Sequence, residues 1–503
     1  MRNSKIVALV ATAALLVLGA TFTSMAATYS WYQVDGIWHC KDKAGDDYNQ
    51  AFAKSGSDVY WLDENGEMAT DLLLEEDGNY YYLDSDGKMV KNDWRKVENT
   101  DDEGDEYYWY YFQPSGKAIA GKYKPVSVTG KKYLFAEDGK MLYGWVGEEG
   151  ATGDEDEFWK GATYYCGSED DGAVRMGWQQ LDVINEEEDL TEQAYWFYFG
   201  TNGKKVQAAD KAVLLQKTIN GKTYAFNESG AMVAEWEPAA STSSAASASI
   251  SSYAWFHTVE DGSKLKKGWF RVIPTASVNQ TANDDEEQHW FYAKGAGEIA
   301  RNEVKTIGGK KYGFNSKGEM VSGLWKVLNI ANVNGAFDDK TNCIDTETEV
   351  NALITGTATY NVYFFGDEET DGSMKTGTVT TEIDGDDYTF YFASTGENKY
   401  KGLNGWKKNA YYVNGSKLKG DADLRYQLFE VTDDPTAGTF GTVTDLAGIE
   451  IDPDGKLVSE YADGTNYVLV SSSGSFVKKA TVKKDADGVK FEVTNYKATK
   501  KAE

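Results

Sequence analysis

The sequence predicts an all-β fold, a solenoid of stacked β-hairpin repeats, and three observations carry that expectation. An aromatic triplet followed a few residues later by a turn glycine recurs along most of the chain. The copies group in threes at a long, regular spacing. Finally, the chain has 33 Tyr and 15 Trp but only 3 Cys, so aromatic packing rather than a disulfide framework must hold it together.

The recurrence appears when the chain is written around its glycines. Tyr80-Tyr81-Tyr82-Leu83 leads to Asp86-Gly87-Lys88-Met89, Trp109-Tyr110-Tyr111-Phe112 to Ser115-Gly116-Lys117, and Tyr133-Leu134-Phe135 to Asp138-Gly139-Lys140-Met141 with Gly144-Trp145. A second round runs through Tyr164-Tyr165 with Gly177-Trp178, Trp196-Phe197-Tyr198-Phe199 with Gly203, and Tyr224-Ala225-Phe226 with Gly230-Ala231-Met232 and Trp236. A third follows in Trp255-Phe256 with Gly268-Trp269, Trp290-Phe291-Tyr292 with Gly297, and Tyr312-Gly313-Phe314 with Gly318-Glu319-Met320 and Trp325.

The long spacing is read from matched tryptophans: Trp109 to Trp196 is 87 residues and Trp196 to Trp290 is 94, while Trp145, Trp236 and Trp325 follow at 91 and 89. A weaker fourth round passes through Tyr363-Phe364-Phe365, Phe390-Tyr391-Phe392 and Tyr411-Tyr412, and a degenerate fifth through Tyr467-Val468-Leu469-Val470 and Phe491.

Each copy reads as strand, tight turn, strand, because aromatic and β-branched residues suit a pleated surface and Asn-Gly, Asp-Gly or Ser-Gly supplies the positive φ of the turn. A single hairpin is marginal in water, so the copies must bury their aromatic faces on one another. The expected organisation is a leader over 1–26, an N-terminal cap or degenerate repeat over 27–57, and repeat arrays over 58–236 and 253–420. An Ala/Ser-rich linker or loop over 237–252 separates the arrays, and degenerate repeats or a cap occupy 421–503.

Gly-Trp, an aromatic triplet, Gly-x-Met and Gly-Trp again resembles the cell-wall-binding repeats of Gram-positive surface proteins, including choline-binding and glucan-binding modules and the carbohydrate-binding repeats of clostridial toxins. The match covers most of residues 58–420 and returns near 467–491. The resemblance implies a hairpin solenoid with ligand grooves between hairpins, where an aromatic face attracts a cation by about 0.5–2 kcal/mol per ring and equally suits the apolar face of a sugar.

Carried onto this sequence, the leading aromatic of the motif falls on Trp109, Trp196, Trp255 and Trp290, and the Gly-Trp position or its equivalent on Trp94, Trp145, Trp178, Trp236, Trp269, Trp325 and Trp406. Alternation places Tyr111, Tyr198 and Tyr292 on the same strand face as Trp109, Trp196 and Trp290. These are the candidate platform residues; packing between hairpins is the competing role for each. The third hairpin of each round has Lys132, Thr223 or Lys311 where the leading Trp would stand, so a full choline cage cannot recur at every step. That departure favours a glycan over choline.

Arg2 and Lys5, the apolar run Ile6 to Ala20 and the small-residue exit at Ser24-Met25-Ala26 read as a secretory leader cleaved after Ala26. The expected mature chain has no membrane segment, and surface attachment is expected to be noncovalent. Net charge is −29 over the full sequence and −31 without the leader, since 49 basic residues then face 80 acidic ones. That surface repels nucleic acid and anionic membranes while tolerating neutral glycans.

Little points to catalysis, metal or cofactor. His39, His257 and His289 show no zinc spacing and read as strand residues, and Cys40 beside His39 would point to the opposite strand face. Cys40, Cys166 and Cys343 allow at most one disulfide. The acidic stretches 101–106, 186–189 and 284–287 read as solvated loop tips without calcium-loop spacing. Once the repeats are assigned, no segment of ordinary catalytic-domain size remains.

The expected function is therefore noncovalent binding of cell-wall polysaccharide, glucan or teichoic acid at the cell surface, without enzymatic activity. The alternatives are a structural or adhesive stalk contacting host or partner proteins, choline-dependent binding to teichoic acid, and binding to host glycans.

Overall fold

The computed structural model describes residues 29–503 except 101–103, 154–155, 186–191, 212, 240–248, 356–359, 368, 408–409, 421–422, 424, 432–442, 446–465, 480, 489, 495–496 and 501–503. The expected leader, most of the Ala/Ser stretch, the acidic stretch 186–189 and the first half of 101–106 lie outside the described residues. The chain divides into two compact units, one comprising 1–217 and 224–233, the other 218–223 and 234–503.

In the first unit, antiparallel hairpins follow one another along the chain. They pair Ser30–Val34 with Ile37–Lys41, Ala51–Ser55 with Asp58–Leu62, Leu72–Glu76 with Asn79–Leu83, and Asp93–Glu98 with Tyr107–Phe112. Lys122–Val128 with Lys131–Phe135, Trp145–Val146 with Tyr164–Tyr165, and Gly177–Ile184 with Glu192–Phe199 continue the series. The second unit pairs Glu235–Pro238 with Tyr253–Phe256, Gly268–Val272 with His289–Ala293, Glu303–Ile307 with Lys310–Phe314, and Gly323–Val327 with Asn361–Phe365. Gly377–Ile383 and Asp386–Phe392 then join a five-stranded sheet with the short strands of 405–417, and the chain ends in a six-stranded sheet running from Tyr426–Val431 to Lys497–Lys500. The predicted hairpin solenoid is thus the observed architecture of the repeats.

Turn chemistry sets each hairpin's exit. The Asp63 carboxylate accepts the N–H groups of Asn65 and Glu67, both at 2.8 Å, and Asp84 does the same for Asp86 and Lys88 at 3.0 and 2.8 Å. This local bonding closes the loop around a glycine and turns the chain back toward its own hairpin.

Two residues past that glycine, the backbone bridges two hairpins. Met68 and Met89 pair with Leu62 and Leu83 of their own hairpins, while their N–H groups donate to Trp38 and Val59 of the preceding ones, at 2.9 and 2.7 Å. The pattern continues with Ala118 to Tyr80, Met141 to Trp109, Val174 to Lys132, Lys205 to Thr163 and Met232 to Trp196. In the second unit Met320 donates to Trp290 and Met374 to Lys311. Each bridging side chain then lies beneath the next loop, where fully buried phenylalanines such as Phe112, Phe135, Phe199, Phe226 and Phe314 line the interior.

The loop glycine is required where that side chain passes. Gly87 has φ +76°, and a Cβ there would stand 2.7 Å from Met68 Cε. Gly87→Ala is expected to cost about 1–3 kcal/mol, seen as a lower urea midpoint for tryptophan fluorescence. Adding Met68→Ala should relieve the contact but not the backbone strain, so recovery should be partial.

Candidate functional site

The hairpins place predicted platform residues in three matching aromatic corners. Trp94 lies directly across the ladder from Tyr111, Trp178 from Tyr198 and Trp269 from Tyr292. The second tryptophan is the diagonal neighbour. Ring centroids of Trp94 and Trp109 are 6.4 Å apart at 81°, of Trp178 and Trp196 6.3 Å at 85°, and of Trp269 and Trp290 6.2 Å at 87°. The following hairpin adds an edge-on tyrosine to each: Tyr133 at 4.8 Å, Tyr224 at 4.7 Å and Tyr312 at 4.8 Å.

All six corner tryptophans are half-buried, whereas Tyr111 and Tyr292 are buried. Each corner therefore combines a packed floor with two ring faces meeting near a right angle, a shape that takes the flat side of a pyranose or a small cation.

The remaining candidates sit differently. Trp145 packs on Tyr165, Phe197 and Phe199. Trp236 and Trp255 face each other across their hairpin with centroids 5.4 Å apart, and Trp236 donates its indole N–H to the Ile273 carbonyl at 2.9 Å. Trp255 and Trp325 are 7% and 6% exposed, and Phe337 lies edge-on to Trp325 at 5.4 Å. Trp406 pairs with Tyr411 in its strand; its side chain is outside the described residues.

Polar and charged groups flank the corners in a pattern that the sequence reading missed. Opposite Trp109, Trp196 and Trp290 stand Lys96, Gln180 and Arg271. The Asp170 carboxylate accepts the Trp109 indole N–H at 3.1 Å and the Lys96 ammonium at 3.2 Å, and these two bonds hold its carboxyl below the usual range. Arg271 grips Glu369 through both terminal nitrogens, at 3.1 and 2.6 Å. Its Nε–H and the Trp290 indole N–H are buried without a hydrogen-bond partner among the described residues.

A second set of ion pairs recurs between a hairpin turn and the next loop: Lys131 with Asp171 at 3.0 Å, Lys222 with Asp261 at 3.0 Å and Lys310 with Asp371 at 2.9 Å. Burial opposes ionisation of Asp371, yet hydrogen bonds from Lys375, Lys310 and Ser373 hold it well below the carboxylate range. The only sequence signal was the spacing itself, a lysine beginning the second strand and an aspartate before the next glycine.

Lys205 departs most from the pattern. It occupies the bridging position held elsewhere by Met68, Met89, Met141, Met232, Met320 and Met374, and is 7% exposed. Its ammonium donates to the carbonyls of Trp159 at 2.6 Å and Lys160 at 3.2 Å and stands 5.3 Å from the Trp145 ring centroid. Burial lowers its pKa to about 7.

The three cysteines are free thiols, with Cys40 and Cys166 buried; burial pushes the Cys166 thiol up to about 12. His39 and His289 are strand residues, and the His39 ring stacks on Tyr32 at 5.3 Å. His257, expected in a strand, lies one residue beyond Tyr253–Phe256, where the chain leaves its ladder for the loop around Gly262. Among the described residues no group of His, Cys, Asp and Glu side chains could hold a metal, and no helix is long and apolar enough to cross a membrane.

Residues 52–94 match the choline-binding repeat family, the stretch that runs from the Phe52 hairpin to the first corner tryptophan. Glucosyltransferase-I of Streptococcus downei is 23% identical over 443 residues, covering 76% of this chain and 24% of the relative. Glucosyltransferase-S of Streptococcus mutans is 24% identical over 227 residues, 40% of this chain and 13% of the relative. This chain thus spans a quarter or less of the length of these two relatives. Among solved structures, the modular autolysin LytC of Streptococcus pneumoniae, in complex with a synthetic peptidoglycan ligand, aligns over 59% of this chain and 54% of its own at 16% identity and a TM-score of 0.34. Choline-binding protein F of the same organism aligns over 73% and 98% at 17% identity and a TM-score of 0.26.

The lowered pKa of Lys205 gives the hairpin repeats a pH signature. Below pH 7 the ammonium is charged in both folded and unfolded chains, and only the folded chain bears the cost of burying it; between pH 7 and about 10.4 the folded form sheds that proton first. Lys205→Met is therefore expected to be more stable than wild type at pH 6, by on the order of a few kcal/mol. The advantage should shrink as pH rises through that window, read from urea midpoints at pH 6, 8 and 10.

Proposed function

We propose that this protein is exported and binds a carbohydrate polymer of the bacterial surface noncovalently, through the three corners built on Trp94/Trp109, Trp178/Trp196 and Trp269/Trp290. The observation that carries this reading is the repetition of one four-ring geometry, held to within 0.2 Å in the tryptophan–tryptophan separation. Packing alone would tolerate substitution among large apolar residues at these positions. Repeated half-buried indole faces instead suit a ligand that itself repeats.

The aligned glucosyltransferases support a saccharide as that ligand, since one of them matches along 76% of this chain. Their transfer reaction is not carried over, and the proposed role is binding without catalysis. Several weak corners acting on one polymer gain affinity by about 10²–10⁴-fold over a single site, so each can be shallow. A second reading, a choline-bearing wall polymer such as teichoic acid, is favoured by the choline-binding repeat match over residues 52–94.

The test is retention of the purified protein on Gram-positive cell walls, before and after removal of wall polysaccharide and teichoic acid, with free choline as competitor. Retention that follows the polysaccharide and ignores choline is expected, elution by choline would establish the second reading, and no retention on any wall would overturn both. Trp178→Ala should weaken retention about 5–30-fold through loss of one aromatic platform worth about 1–2 kcal/mol. Combining it with Trp94→Ala should lower retention further, while Trp325→Ala, a buried packing residue, should reduce stability without a matching loss of retention per folded molecule.

A further inference from the structure

The groove between the Trp145 hairpin and the next differs from the three corners in that the cation of the protein's own standing in it, Lys205, is buried, whereas Lys96, 5.8 Å from the Trp109 ring, is exposed. Lys205 enters from the bridging column, and its stem passes beneath the next loop, where a Cβ on Gly230 would meet Lys205 Cδ at 2.7 Å. This is the path that methionine takes elsewhere: a Cβ on Gly87 would meet Met68 Cε, also at 2.7 Å. The lysine is longer, and its ammonium reaches the Trp145 ring at 5.3 Å.

Two backbone carbonyls fix it there. Both belong to the one-turn helix Phe158–Gly161, which lies in the insertion between strands Trp145–Val146 and Tyr164–Tyr165. The same insertion buries Trp159, 3% exposed, against Phe197 at 5.7 Å and Tyr195 at 6.0 Å, and Trp145 shares Phe197 with it. Burial lowers the pKa of the Lys205 ammonium, and no carboxylate among the described residues pairs with it. An ammonium held on carbonyl oxygens and an indole face, without a counter-ion, has the surroundings of a bound cationic ligand.

Lys264 shows a looser form of the same device. It occupies the bridging position of its own hairpin, donates to the Ala239 carbonyl at 3.4 Å and lies 6.0 Å from the Phe256 ring.

We propose that Lys205 is an internal occupant of the Trp145 groove, a specificity-determining residue that withholds this groove from ammonium-bearing ligands. The inference deepens the proposed function and rests on its reading of inter-hairpin grooves as ligand sites. It restricts which of them are open. Methionine at the same position would leave the indole face without a cation while keeping the column packed.

The experiment counts sites for tetramethylammonium, the simplest quaternary cation, by equilibrium dialysis of the full chain. Lys205→Met is expected to bind one more equivalent than wild type, and Lys205→Val, copying Val174 in the preceding hairpin, should do the same. Trp145→Ala added to Lys205→Met should return the count to the wild-type number, and Lys205→Arg, which keeps a cation, should not raise it. Unfolding curves followed by tryptophan fluorescence establish that each variant is folded, and the Met and Val variants guard against failure of either one. Equal counts for wild type and both folded variants would overturn the proposal. The readout is separate from wall retention: a wild-type protein that ignores every wall but gains a tetramethylammonium site on Lys205→Met sinks the wall-binding reading and leaves Lys205's role standing.

Discussion

The backbone bond from the residue after each loop to the preceding hairpin is what the rest of this structure depends on. A two-stranded hairpin leaves both edges unsatisfied and one aromatic face wet, and neither is stable alone. By sending the Met89 N–H to Val59 and the Met141 N–H to Trp109, the chain satisfies an edge and fixes the offset between hairpins in one step. That offset decides which rings meet. Trp94 can touch Tyr133 and Phe135 only because the Trp109 carbonyl is tied to the exit of the Tyr133 hairpin. The corners are thus a by-product of the stacking rule and reproduce themselves wherever the same residues recur.

Electrostatics then differentiates copies that packing makes alike. The cross-strand partner of the second corner tryptophan is Lys96 in one round, Gln180 in the next and Arg271 in the third. Lys96 shares Asp170 with the Trp109 indole, whereas Arg271 takes Glu369 for itself, and the Trp290 indole has no acceptor among the described residues. Three corners of one shape therefore present different hydrogen-bonding rims. In a protein of net charge −29, such local pairs leave the negative long-range field in place.

Much of this was legible in the sequence because the governing features are local and periodic. Tyr80-Tyr81-Tyr82 and Gly87 specify a hairpin and its exit without reference to anything distant, and the spacing of Trp109, Trp196 and Trp290 announces a larger unit. The shared face of Trp109 and Tyr111 follows from strand alternation, while the place of Trp94 beside them comes from the hairpin register. What could not be read is where insertions fold back. Trp159 and Phe337 lie in segments that interrupt the period, and only three-dimensional packing shows that they settle against Phe197 and Trp325. Lys205 is an intermediate case: its departure from the methionine column was visible, but not that its ammonium would be buried on carbonyls of an insertion earlier in the chain. The ending was also obscure, because the strands between Tyr426 and Lys500 form one six-stranded sheet through pairings distant in sequence.

Because each hairpin is joined to its predecessor by the same short set of bonds, length in this protein behaves as a countable quantity. Duplicating a block of three hairpins inserts a complete module whose two ends already fit its neighbours, whereas losing one hairpin shifts the phase of every corner after it. Heredity can thus change the number of hairpins in whole steps through unequal recombination. The near-equal distances from Trp109 to Trp196 and from Trp196 to Trp290 set the size of that step.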